Sequence, residues 1–404
     1  MALPPIEDRP KHTRYDVVIV GGAVIGSSIA WHLSANPDFD GTVLVVERDP
    51  TYATASTTHT NSCIRQQFSS AVNIRISQFG AEFIKNFRDR LGGDPDIPEL
   101  AFQQFGYLYL ADTPAFADHL RSCQALQASL GAGTRLLTPD EIAAEFPFYD
   151  LDGILLGSHN PVDEGYFDGN TMFDWLRRMA RRNGIEYITN DVTAVRRTAN
   201  AVEDVTLASG ETISCGTLIN ASGPRAARTA RMAGLDIPVE PRRRFTFVFE
   251  AEDDLGRDLP LTIDPSGVHM RADGRYFMCG CPPDDDRAAD FDDFTMDHDI
   301  WENKVWPALA TRVPAFERIR QINYWVGHYA YNTFDQNAIL GPPPDVDNFL
   351  FANGFSGHGL QQAPAVGRGL SELVTYGEYR SLDLSLLGFG RLLSGERAVE
   401  HAVI

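Results

Sequence analysis

Residues 15–47 constrain this chain more than any other stretch of it. YDVVIV (15–20) is a short apolar run rich in β-branched side chains, which predicts a strand buried on both faces. Gly21-Gly22-Ala23-Val24-Ile25-Gly26 follows, and Ile25, Ile29 and Leu33 then recur at helical spacing. TVLVVE (42–47) predicts a second buried strand ending in an acid. Strand, glycine turn, helix, strand and acid together make one βαβ unit of the dinucleotide-binding type. In that unit the first glycine permits the tight turn, the second lets backbone approach a pyrophosphate, and the third lets helix and strand pack closely. Gly21 and Gly26 match the first and third places, and Ala23 holds the second. Its methyl group crowds a phosphate slightly and leaves the turn possible. The N-termini of helices attract phosphate through free N–H groups and the helix dipole, which puts Ala23, Val24 and Ile25 beside the ligand. Glu47 stands 47 − 26 = 21 residues beyond Gly26, a spacing that suits an acid bonding ribose hydroxyls. The alternative is a structural turn with no ligand. An acid ending a buried strand is costly without a partner, which favours the nucleotide site.

Downstream, Ile74, Phe79, Phe83 and Phe87 share one face of a predicted helix over 71–91. FQQFGYLYL (102–110) is strand-like, residues 114–130 helical. Thr138 and Glu141 have the spacing of a capping box, and Asp168 caps a helix over 170–182. Residues 185–220 alternate like small antiparallel strands, and strands recur at 244–250, 259–263, 267–271 and 275–280. The acidic run 282–299 reads as a solvated loop, 300–311 as helix, 349–354 as a buried strand and 360–376 as helix. The expected fold class is α/β, α+β overall. A Rossmann-like nucleotide domain (1–91, 151–234, 328–404) is intertwined with an antiparallel-sheet substrate domain (92–150, 235–327), with the ligand between them.

Composition excludes several partners. The net charge of −20 repels polyanions, so nucleic acid is not expected. No run of 18 uninterrupted apolar residues exists, so no membrane span is expected. Residues 1–14 lack the apolar core of a secretory signal, which makes the cytoplasm the expected location. The five cysteines are odd in number, and no second Cys or Cys/His pair completes a metal site around Cys279-Gly-Cys281. They read as small buried hydrophobes.

VVIVGGAVIGSSIAWHL, VVERDPTYATAST, CIRQQFS, LINASGPRAA and FLFANGFSGHGLQQAPAVGRGLSEL together resemble the D-amino-acid oxidase/sarcosine oxidase family of FAD enzymes, over nearly the whole chain and in family order. The likeness is greatest to the FAD-dependent oxidoreductase-domain branch. The resemblance implies FAD, with Gly21, Gly26, Glu47 and Arg48 on the ADP half and Val192, Ala221 and Gly223 beside it. Ser56, Thr57 and His59 would lie along the cofactor. Gly354, Gly357, His358, Gly359, Leu360 and Gln361 would bring a helix N-terminus to the flavin pyrimidine, where reduced flavin carries negative charge. Non-covalent FAD is expected. The cysteine that links flavin in the sarcosine oxidases corresponds to about His328, while Ser56-Thr57-Thr58-His59 resembles the segment through which dimethylglycine and sarcosine dehydrogenases attach flavin to a histidine.

The family's carboxylate-clamping arginine corresponds to Arg65, and a guanidinium fork suits a carboxylate. The second anchor of the family, a lysine, is Gln361 here, so a standard sarcosine pocket is in doubt. His269, His328, Tyr331 and Gln362 are the other polar groups expected around the substrate. The family's oxidases use a lysine near the flavin to activate oxygen, and its place falls near Phe277. Lysine occurs only at 11, 85 and 304. The resemblance therefore implies a dehydrogenase that oxidises the C–N bond of a small amino acid or N-alkyl amino acid. Hydride passes to flavin N5, the imine hydrolyses, and electrons leave to a quinone, an electron-transfer protein or oxygen. Two alternatives stay open: a 2-hydroxy-acid dehydrogenase with His269 or His328 as base, and a flavoprotein that serves as an assembly factor without catalysis.

Overall fold

The computed structural model describes residues 3–400. The βαβ unit forms as its sequence dictates. Strands Arg14–Val20 and Val43–Glu47 lie side by side in parallel, joined by the helix Val24–Ala35. They sit at the centre of an eight-stranded sheet. Glu186–Thr189 flanks one side, while the long strand Thr212–Asn220 pairs parallel with Arg14–Val20 on the other. The first half of Thr212–Asn220 carries the antiparallel hairpin Val192–Arg197 and Val202–Leu207; its second half pairs with Phe349–Asn353. One face of the sheet packs the helices Val24–Ala35, Gly169–Arg182 and Gly359–Tyr376. Gly367 allows the first and last of these to touch, since a Cβ there would lie 2.2 Å from Ser28 Oγ.

The second eight-stranded sheet runs in the order Ile319–Asn332, Val239–Ala251, Tyr276–Cys281, His269–Asp273, Leu261–Ile263, Tyr107–Ala111, Leu156–Asn160 and Arg135–Leu137. All its pairings are antiparallel except Leu261–Ile263 with Tyr107–Ala111. A small third sheet joins Cys63–Ile64, Gly165–Phe167 and Phe102–Gln103.

Local expectations and structure differ at three places. The predicted 71–91 helix is two pieces, Ala71–Lys85 and Phe87–Arg90, because Asn86 leaves the helical region at φ −112° and ψ 26°. Residues 156–160, expected with the nucleotide unit, hydrogen-bond in the second sheet. So do residues 328–332, which continue a 14-residue strand from Ile319. The Thr138–Glu141 capping box and the Asp168 cap are both present. Residues 282–299 carry no long element, and their acids tie them down through Arg225–Asp292, Arg244–Asp286 and Lys304–Asp284. Among the described residues no helix is long and apolar enough to cross a membrane.

Candidate active site

A long cavity runs from the mouth of the βαβ unit to the second sheet. Its first end is built by glycine geometry. Gly21 adopts φ +99°, and a Cβ there would lie 2.5 Å from the Ala221 carbonyl oxygen. Gly26 packs against the same turn; its Cβ would lie 1.9 Å from Gly21 O. Gly26 thus stays behind the cavity wall while Gly21, Ala23, Val24 and Ile25 line it. The helix they open has no side-chain cap, which leaves first-turn N–H groups to a ligand. The Val24 N–H alone is taken, donating to Thr57 Oγ1 at 3.3 Å.

Glu47 is 9% exposed, and burial pushes its carboxyl upward, opposed by backbone hydrogen bonds. Gly22 N donates to Oε2 and Asp49 N to Oε1, each at 2.8 Å. Each oxygen keeps a second lone pair for a ribose hydroxyl. Arg48, Val192, Ala221 and Gly223 line the same end. Ser56 and His59 line the middle; Ser56 Oγ donates to the His328 carbonyl at 2.5 Å, and His59 Nδ1 lies 3.1 Å from Ala55 O.

At the far wall the helix Gly359–Tyr376 points its uncapped N-terminus at the cavity through Gly357, His358, Gly359, Leu360 and Gln361. Gly357 has φ +96°, and a Cβ would meet the Tyr329 ring at 2.5 Å. Gly354 is set back as a turn residue against Val239 and Asn332, outside the lining.

Arg65 reaches this region from the end of Cys63–Ile64 and is 2% exposed. Its Nη2 donates to His358 Nε2 at 2.8 Å, and its guanidinium lies 4.5 Å over the Phe68 ring. Gln361 lines the cavity beside Arg65, and its Oε1 accepts from the Arg65 backbone N–H at 3.0 Å, which orients the amide. Gln362 turns away to Asn73, with Nε2 to Oδ1 at 3.2 Å. Tyr331 also lies outside the lining, under the Arg242 guanidinium at 4.9 Å; Tyr329, two residues earlier on the strand, takes the cavity position.

His269 and His328 both line the cavity. Burial, helped by Arg271 and Arg244, lowers His269 to about 4, so the ring is neutral near pH 7. Asn61 Nδ2 lies 2.8 Å from His269 Nε2, while His269 Nδ1 and Asn61 Oδ1 are buried without protein partners among the described residues. His328 is also lowered, first by burial; its Nε2 faces the Asp293 carbonyl at 2.8 Å and its ring stacks on Phe294. Phe277, expected near the oxygen-activating position, instead packs in the core of the second sheet against Phe249 and Phe316. The side chain that this part of the sheet sends to the cavity is His269. Lys85 and Lys304 are paired with Asp163 and Asp284, and no lysine lines the cavity.

Sequence reasoning missed Asn61, Tyr107, Arg244 and Tyr329. Tyr107 and Tyr329 stand in aromatic alternations that give a strand but not its cavity-facing side.

Residues 16–373 match the family described as FAD dependent oxidoreductase (DAO). The chain belongs to that FAD-dependent oxidoreductase family. It is 37% identical to FAD-dependent oxidoreductase domain-containing protein 1 of Bos taurus, over 97% of this chain and 87% of the bovine one. Dimethylglycine dehydrogenase, mitochondrial, of Rattus norvegicus is 26% identical over 90% of this chain, which spans 43% of that protein. The fold is shared with L-proline dehydrogenase from P. horikoshii at a TM-score of 0.83 and 24% identity, covering 98% of this chain and 100% of that one. Flavoproteins of the DAO family bind FAD, and the residues here fit it. One uncapped helix N-terminus and Glu47 suit the ADP half. A second uncapped N-terminus suits the anionic end of a reduced flavin.

Proposed function

We propose that this DAO-family oxidoreductase oxidises the C–N bond of a small amino acid or N-alkyl amino acid, as a dehydrogenase. In this reading the first sheet with its helices holds FAD, and the second sheet covers the substrate. Bound FAD would supply the two-electron acceptor. Arg65 clamps the substrate carboxylate and fixes the α-carbon in the cavity; orientation of this kind carries most of the rate such a step needs. Its burial at the cavity wall is the observation that carries the proposal. Neutral His269 faces an uncharged amine, and Arg244, the cation beside it on that wall, is paired with Asp286.

A 2-hydroxy acid would need a base. The Asn61 amide donating to His269 Nε2 puts the imidazole proton on Nδ1, which makes that atom a donor. His328 Nε2 is committed to a carbonyl. These bonds favour the amine over the alcohol. The test is anaerobic bleaching of the flavin by a panel of N-methyl amino acids, D- and L-amino acids and 2-hydroxy acids. Bleaching by hydroxy acids alone would overturn the amine reading. If FAD-loaded protein bleaches with no compound, the weight shifts to the non-catalytic flavoprotein.

Electrons leave to a quinone or an electron-transfer protein rather than to oxygen. A cation beside the flavin stabilises superoxide; here His269 is a neutral imidazole, Arg244 is paired with Asp286, and no lysine lines the cavity. Photoreduced protein mixed with air-saturated buffer is expected to reoxidise slowly, and His269→Lys is expected to speed that phase by about tenfold or more. Fast reoxidation of the unaltered protein, followed by flavin absorbance, would contradict the dehydrogenase reading.

In this reading FAD is held without a covalent bond, and His59, which lines the cavity, is the residue that the alternative of a covalent link names. Acid precipitation is therefore expected to leave all the yellow colour in the supernatant. Colour that stays with the pellet, and is lost in His59→Ala, would assign the link to His59.

A further inference from the structure

Resting on the reading of Arg65 as the carboxylate clamp, we propose that Glu164 is the positioning residue of that clamp. It pins the backbone that presents Arg65 and sets how strongly the guanidinium attracts an anion.

Glu164 lies between strands Leu156–Asn160 and Gly165–Phe167 and is 0% exposed. Its Oε1 accepts from Gln66 N at 2.6 Å, Gln67 N at 3.1 Å and Asn160 Nδ2 at 2.8 Å. Its Oε2 accepts from Gln67 Nε2 at 3.0 Å. With Arg65 N bonded to Gln361 Oε1, three consecutive N–H groups are held by side chains instead of by a sheet. The segment after Cys63–Ile64 has no strand ladder of its own, so these bonds fix where the guanidinium stands.

Position alone does not need a charge. A glutamine would accept the same backbone bonds without the cost of burying an ionisable group. The carboxyl sits inside a set of charged and titratable groups. Arg65 is its opposite charge, and His358 touches Arg65 from the helix side. Tyr107 and Tyr109 face it from the second sheet. Glu400, itself 0% exposed, bonds Ser69 N at 2.9 Å and Asn73 Nδ2 at 3.0 Å and acts on the same arginine. Lys85 is occupied by Asp163 next door. Burial pushes Glu164 up to about 7, opposed by its hydrogen bonds and by Arg65.

Near neutrality the clamp therefore has two electrostatic states. With Glu164 protonated, the charge of Arg65 is less compensated and attracts a carboxylate strongly. With Glu164 ionised, the attraction falls. By reciprocity a bound carboxylate raises the proton affinity of Glu164, so binding takes up a proton. Affinity is highest below the Glu164 value of about 7 and declines as pH rises through it. A one-unit shift on binding corresponds to about a tenfold change in affinity between the fully protonated and fully ionised limits.

The test uses FAD-loaded protein and propionate as the probe, with propionamide as the uncharged control, read by flavin difference absorbance from pH 6 to 8, a window that brackets about 7. The dissociation constant for propionate is expected to rise about fivefold across it, the larger part of the tenfold that a one-unit shift gives in full. Calorimetry in two buffers of different ionisation enthalpy should show proton uptake near neutrality. E164Q should bind as tightly as the low-pH protein, without pH dependence and without proton uptake; propionamide should ignore both. E164A, which loses the pins as well as the charge, should bind more weakly at every pH. Proton uptake by the unaltered protein needs no variant and decides the matter if a variant loses FAD. Arg65-dependent binding with no proton uptake, or an E164Q profile equal to that of the unaltered protein, overturns the proposal and leaves the Arg65 reading standing. Binding unchanged in R65Q removes the clamp itself, and the proposal with it.

Discussion

Arg65→Ala is expected to leave a yellow protein whose flavin amino acids can no longer bleach at useful rates. In the proposed complex the guanidinium and the substrate carboxylate form a buried pair, since Arg65 is only 2% exposed before anything binds. Truncating one member of such a pair costs about 2–5 kcal/mol. At 1.36 kcal/mol per decade that is a loss of about 30- to 5,000-fold in kcat/KM. The upper half of the range is the expectation. The Phe68 ring beside the guanidinium offers a stranded carboxylate no donor, and the Tyr107 hydroxyl is neutral and cannot replace the charge. Arg65→Lys separates charge from shape. It restores one positive point but loses the two-pronged fork, and should recover only part of the rate. Rates of anaerobic flavin reduction, divided by bound FAD, measure both. A wild-type rate in Arg65→Ala would end the clamp assignment. Loss of FAD in that variant would instead show that Arg65 mainly supports His358 and the helix N-terminus behind it, to which its Nη2 donates.

How much of this was readable in advance follows from what each residue reports. The βαβ unit was legible because parallel strands buried on both faces appear as unbroken apolar runs, and Arg14–Val20 and Val43–Glu47 are such runs. The two caps were legible because a cap is a contact within four residues. Leu156–Asn160 was hidden for the opposite reason. All five of its residues are buried, yet Ser158, His159 and Asn160 are polar, bonded by Gln67 and Arg135 from distant segments and by Glu164 across the following turn. A hydrophobic pattern cannot show a polar core whose partners come from other segments. Ile319–Asn332 was hidden because it is an edge strand, with an outer half of exposed Arg320, Ile322, Asn323 and Tyr324 beside buried Val326 and His328. The site divides in the same way. Gly21, Glu47 and Arg65 were placed by motif and resemblance. Gln361, expected at the substrate by resemblance, lines the cavity with its amide oxygen on the Arg65 backbone. Tyr331 was chosen where Tyr329, on the same face two residues earlier, reaches the cavity, a position along the strand that only tertiary pairing fixes: Tyr329 stands opposite Arg242 and Tyr331 opposite Glu240. Arg244 and Glu164 left no local signal, because their importance lies wholly in what the fold brings to them.

The other large expected effect is at Gly26, which no ligand need touch. A methyl group there would stand 1.9 Å from the Gly21 carbonyl oxygen and 3.0 Å from its carbon. Both are backbone atoms, so no rotamer change relieves the overlap. Gly21 cannot yield either. Its N–H is bonded to Val46 O at 2.9 Å, its φ of +99° is one that side-chain-bearing residues rarely adopt, and Ala221 O closes its other side. The helix Val24–Ala35 would have to move instead, and Gly367 already holds it in contact with Gly359–Tyr376 through Ser28. Overpacking usually costs about 1–3 kcal/mol and here should reach the top of that range or exceed it. The functional consequence is larger than the loss of stability. Moving that helix carries the free N–H groups around Ala23–Ile25 off the phosphates, so Gly26→Ala should emerge from gel filtration colourless, with a lowered Tm that added FAD restores only in part. Gly390→Ala is the control: a Cβ there meets nothing within 4 Å and its φ is not positive, so colour and Tm should hold. A Gly26→Ala protein that keeps one FAD per chain would mean that the turn can open without cost. The close packing of Gly26 on Gly21 would then not be what holds the phosphate site in shape.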